Sequence, residues 1–140
     1  MAAPIAATNS VASVPTLGRP LAFGLRPPGK LDRLVGHSLG ASAAVSLADQ
    51  LRKAGLRVAL IVTLDPVLKT TVPDNVHLLK NFYLSSGVGK EVERGTSCHG
   101  MLQNVEMGRN AELGHVSLTT APVIKKQIMR DIFSANFSCR

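Results

Sequence analysis

At 140 residues with 45% hydrophobic content, the chain is one domain's worth of sequence, long enough to bury a core and too short for two domains. That apolar content excludes an intrinsically disordered polymer, and no apolar run approaches the roughly 20 residues of a membrane-spanning helix, so no membrane span is expected. The net charge of +7 comes from 16 Lys and Arg spread in ones and twos, without a basic run or interleaved aromatics, so it reads as a solvated surface with no nucleic-acid partner.

Residues 1–30 are rich in Ala, Pro and Gly, and Pro15, Pro20, Pro27 and Pro28 interrupt any period. The segment therefore reads as irregular, with "LAFGL" at 21–25 its candidate strand. It has neither the basic start nor the sustained apolar stretch of a secretory signal, which leaves the cytoplasm as the default compartment. From residue 31 to the end, apolar runs alternate with amphipathic stretches, the pattern of βαβ units in one parallel-sheet domain.

Residues 31–36 predict a short strand, although Asp32 and Arg33 stand where a buried parallel strand is apolar, which fits an exposed or shortened strand. Ala44, Leu47, Ala48 and Leu51 recur at helical spacing and predict a helix over 39–54, its end marked by Arg52, Lys53 and Gly55. "RVALIVTL" at 57–64 is a strand of the kind buried on both faces, ending at Asp65-Pro66. "NVHLLKNFYL" at 75–84 predicts another strand and "GMLQNVEM" at 100–107 a weaker one. A loop with Gly114-His115 leads to a last helix, with Thr120 as its expected cap, Pro122 in its first turn, and Ile124, Ile128 and Ile132 on one face.

Gly36-His37-Ser38-Leu39-Gly40 fits G-x-S-x-G, the strand-to-helix turn that exposes a nucleophilic serine. Serine is a weak nucleophile near neutral pH and needs a histidine to take its proton. The histidine in turn needs a carboxylate to fix its tautomer. Asp65 in "VTLDPV" and His115 in "ELGHVSL" supply these groups, each just past a predicted element, where parallel sheets gather their ligands. Asp74 in "VPDN" is the reserve acid, with turn-like neighbours that favour a structural role. His77 sits inside an apolar strand, and His99 in "TSCHG" is a surface-loop alternative base. Ser97 follows no clear strand and is a poor rival nucleophile. "GLRPPGKL" is not a phosphate-binding loop, because Leu31 replaces the magnesium-binding hydroxyl and two prolines remove backbone donors. Cys98 and Cys139 have no C-x-x-C spacing and read as free thiols; no cofactor and no metal is expected.

"LVGHSLGASAA", "VTLDPV" and "ELGHVSL", in the order Ser, Asp, His, resemble the C-terminal half of an α/β-hydrolase of the lipase, esterase and thioesterase superfamily, over about residues 31–133. The resemblance implies a truncated α/β-hydrolase-like, three-layer α/β fold with a small, mostly parallel sheet that lacks the N-terminal strands. It also implies hydrolysis of a small-molecule acyl ester or thioester. Ser38 would be the nucleophile, His115 the general base and Asp65 the acid, with the Leu39 N–H in the oxyanion hole. In that family a second oxyanion donor comes from a segment before the elbow, and its absence would impair activity by about 10²–10³. The rival expectation is a non-catalytic domain of the same fold that binds a partner, or a second copy, through an open sheet edge.

Overall fold

A computed structural model describes residues 32–97, 100–108 and 113–134; "LAFGL", Cys98, His99 and Cys139 lie outside the described residues. In chain order the elements are β1 (Asp32–His37), α1 (Leu39–Lys53), β2 (Val58–Leu64), β3 (Thr70–Val72), β4 (Val76–Tyr83), β5 (Val92–Arg94), β6 (Met101–Glu106), a 3₁₀ turn (Ser117–Thr119) and α2 (Pro122–Ser134). The main sheet has the order β1-β2-β4-β6, and every neighbouring pair in it is parallel. The chain is therefore α/β with a parallel sheet.

The pattern of burial follows from that order. All seven residues of β2 are buried, because the strand has a neighbour on each side and a helix over each face. On one face, Ala44, Leu47, Ala48 and Leu51 of α1 pack with Leu34, Ile61 and Leu79. On the other, Ile124 and Ile128 of α2 pack with Leu60, Val62, Leu78 and Phe82, and Ile132 is partly buried against them. The apolar run of β2 and the one-sided helix patterns are thus two readings of a single arrangement, a sheet between two helices. Lys80 adds a polar tie, reaching Asp131 of α2 at 3.1 Å with both side chains mostly buried.

Some local features depart from expectation. β3 and β5, three residues each, form a separate parallel pair that the sequence pattern did not indicate. Thr120 does not cap α2; its hydroxyl donates to the Ser117 carbonyl and closes the 3₁₀ turn instead. Arg33 is half-buried on β1, an outer strand among the described residues, where the register slips between Asp32 and Arg33.

The register also sets the position of the site. His37 pairs with Leu64, Leu64 with Phe82, and Phe82 with Val105, so the carboxyl ends of the four strands reach one rim in step. Asp74 and His77 belong to the opposite, amino-terminal rim, beside Val76 and its partner Val58.

Candidate active site

Ser38 follows β1 directly and begins α1. Its φ is 58°, in the region L-residues rarely adopt, at a cost of about 1–3 kcal/mol that surrounding structure must sustain. Two contacts sustain it. The Ser38 N–H donates to the Leu64 carbonyl at 2.9 Å, extending the β1–β2 ladder one residue past the strand. Gly36 lets the helix start sit against the strand, since a Cβ there would lie 2.1 Å from the Gly40 carbonyl oxygen. Ser38 caps no backbone N–H, so its hydroxyl is left for another partner.

Asp65 ends β2 in a similar way, with φ 49° and its N–H donating to the Phe82 carbonyl at 2.7 Å. These two site residues are the only non-glycine residues with positive φ among the described residues. Asp65 is fully buried. Its Oδ1 accepts the Leu84 N–H at 2.9 Å and its Oδ2 accepts from His115 Nδ1 at 2.5 Å, so neither carboxylate oxygen lacks a donor.

The loop after β4 covers this carboxylate. The Lys90 N–H donates to the Pro66 carbonyl at 2.9 Å, which brings Gly89 directly over Asp65. Buried Asn81 anchors the loop from below. It accepts from Thr63 Oγ1 at 2.8 Å and donates to the Lys90 carbonyl at 3.0 Å and to Asn104 Oδ1 at 2.9 Å. Asn104 in turn brackets Val92, accepting its N–H and donating to its carbonyl at 3.0 Å each. A Cβ on Gly89 would fall 1.6 Å from Asp65 Oδ1. Gly89→Ala is therefore expected to push the carboxylate off His115 and to remove the downfield Nδ1–H proton signal of that bond; proton nuclear magnetic resonance of the native and variant chains checks this.

His115 arrives from the loop between β6 and the 3₁₀ turn, its side chain about one-third exposed. The carboxylate can only accept, so Nδ1 carries the proton, and Nε2 is left to accept the Ser38 hydroxyl at 3.0 Å. The loop is seated by Leu118, which is fully buried against the α2 face of the sheet. His37, between Gly36 and Ser38, is part of the same cluster: its Nε2–H donates to the His115 carbonyl at 2.8 Å, and the two rings lie 4.7 Å apart at 39°. His37 fills the first variable position of G-x-S-x-G, for which the motif specifies no chemistry; its place immediately before Ser38 on the strand end is the signal that could have found it.

The structure thus brings Ser38, Asp65 and His115 within hydrogen-bonding distance and keeps Asp74 and His77 away from them. Leu39, the first residue of α1, is beside Ser38 with its side chain exposed. Ser97 lies exposed in a turn after β5 and lines a polar groove, also bordered by Asp49, Arg52 and Arg94, that includes none of these three residues. Among the described residues no group of three or more His, Cys, Asp and Glu is placed to hold a metal ion, and no helix is long and apolar enough to cross a membrane. No family model matches the chain, and no curated protein or solved structure is measurably similar to it.

Proposed function

We propose that this chain is a serine hydrolase of the α/β-hydrolase type acting on a carboxylic ester or thioester. The observation that carries the reading is the continuous relay Ser38 Oγ, His115 Nε2, His115 Nδ1, Asp65 Oδ2, with the serine held at positive φ on a strand-to-helix turn. A merely structural turn serine does not need a buried, fully bonded carboxylate aligned behind its histidine partner.

The chemistry follows from the atoms in place. As Ser38 Oγ attacks the substrate carbonyl carbon, its proton passes to His115 Nε2, and Asp65 stabilises the imidazolium through Nδ1–H. The carbonyl oxygen becomes an oxyanion beside the start of α1, where the Leu39 N–H has no helical partner and the helix dipole favours negative charge. Collapse of this intermediate expels the alcohol or thiol, which takes the proton from Nε2. Water then attacks the acyl-serine by the same route, and the carboxylic acid leaves.

The test is intact-mass detection of a fluorophosphonate adduct, in which Ser38 Oγ displaces fluoride from phosphorus. One adduct is expected on the native chain and none on Ser38→Ala with an unchanged circular dichroism spectrum. A folded native chain that takes no adduct removes the proposal. The second reading, a non-catalytic module, is favoured by a separate observation: among the described residues β1 and β6 are the outer strands of the main sheet, and no β6 residue is fully buried. It would show as concentration-dependent mass in light scattering without an adduct.

A further inference from the structure

We infer that His37 is a positioning residue for the general base, an inference that rests on the serine hydrolase reading. Among the described residues, the hydrogen bonds of the loop that carries His115 are largely internal. The Gly114 N–H donates to Ser117 Oγ at 2.7 Å, and the Leu118 N–H donates to the Gly114 carbonyl at 2.9 Å. The bonds of the His115 ring go to Ser38 and Asp65, the two groups it must serve. A ring bonded only to its reacting partners would shift whenever proton transfer changed those bonds. Leu118 seats the loop by packing, and His37 adds a directional hold at the base itself: its Nε2–H binds the His115 backbone carbonyl from 78 positions away in sequence.

Its own platform is rigid. His37 is the last residue of β1 and pairs with Leu64 of the buried central strand, one residue before the strained serine. A single strand end thereby sets two quantities together, the direction of the nucleophile through Ser38 and the height of the base through His37. The bond also defines the tautomer of His37. A carbonyl only accepts, so Nε2 carries the proton, and in the neutral ring Nδ1 is the acceptor. The ring contact at 4.7 Å limits tilt of the His115 imidazole on the face His37 occupies.

Donation, and not ring packing alone, is the property to test, because phenylalanine keeps a ring but no N–H, whereas glutamine brings an N–H donor at similar reach but no ring. Fluorophosphonate acylation rates are measured for the native chain and for His37→Phe, His37→Leu and His37→Gln. The two variants without a donor are expected to lose about ten- to a hundred-fold in rate at unchanged thermal midpoint, and His37→Gln to recover most of it. Native rates in His37→Phe and His37→Leu, with the native chain labelled normally, would overturn the inference while leaving the hydrolase reading intact. Absence of labelling in the native chain would instead remove that reading. Nitrogen-15 histidine spectra of the native protein supply a check independent of any variant: the His37 Nε2–H should be protected from solvent exchange, and free exchange counts against the bond.

Discussion

Asp65→Asn is expected to lower turnover and serine acylation by about 10⁴-fold while the chain stays folded. The outcome depends on which way the new amide must face. Asp65 Oδ1 accepts the Leu84 N–H in a fully buried setting, and leaving that donor unsatisfied would cost about 1–3 kcal/mol. The asparagine oxygen therefore stays on Leu84, and its NH₂ is directed at His115. An NH₂ cannot accept from Nδ1, so the imidazole takes the other tautomer and presents Nε2–H to Ser38. A protonated Nε2 cannot receive the serine proton. Acylation kinetics with the fluorophosphonate probe, alongside near-ultraviolet circular dichroism, check both halves of the expectation. Near-native acylation in Asp65→Asn would show that the carboxylate does not orient the base.

The two glycines of the elbow should respond with opposite sign to the same substitution. At Gly36 an added Cβ would lie 2.1 Å from the Gly40 oxygen, 2.5 Å from its carbonyl carbon and 2.8 Å from Ala41 Cα. All three are backbone atoms, so no side chain can rotate away, and β1 must separate from α1. Overpacking of this kind typically costs about 1–3 kcal/mol, and occasionally more; with no flexible neighbour, Gly36→Ala belongs at or above the top of that range. Against a usual total of about 5–15 kcal/mol, that is a large share of the stability. At Gly40 an added Cβ meets nothing within 4 Å. Since alanine is the better helix former, Gly40→Ala should stabilise α1 by up to about 1 kcal/mol. Urea denaturation midpoints for the pair decide it; equal losses at both positions would contradict this packing of strand against helix.

How much of this was legible in the sequence depends on the range over which each feature is encoded. The strand at β2 and the helix at α1 are written locally, as an apolar run and as apolar residues at helical spacing. That Ser38, Asp65 and His115 could meet was readable from their order and from their places just beyond strand ends or before the last helix. The carboxylate clamp was not, because Gly89 meets Asp65 only after Asn81, Asn104 and Lys90 have fastened the loop. No local period records that. β3 and β5 are too short, at three residues each, for alternation to register. Thr120 carried a plausible cap signal, but the same hydroxyl satisfies the 3₁₀ turn that precedes the helix. His37 was hidden for a different reason: its partner is a backbone carbonyl, which every residue possesses, so no side-chain type in the sequence advertises it.

The all-parallel pairing has a kinetic consequence. Among the described residues every ladder joins strands running the same way, so no hairpin offers a cheap nucleus for the sheet. Each pairing must first close an intervening segment, and the contacts that join His115 to Asp65 and to Ser38 span 50 and 77 positions. Chains dominated by such distant contacts fold slowly, and the loop-closure entropy is lost before any of those contacts forms. Under the proposed function, reactivity at Ser38 is therefore expected late in refolding, after the sheet and the final loop have docked, with a time course that follows completion of the native state more closely than the recovery of helix signal.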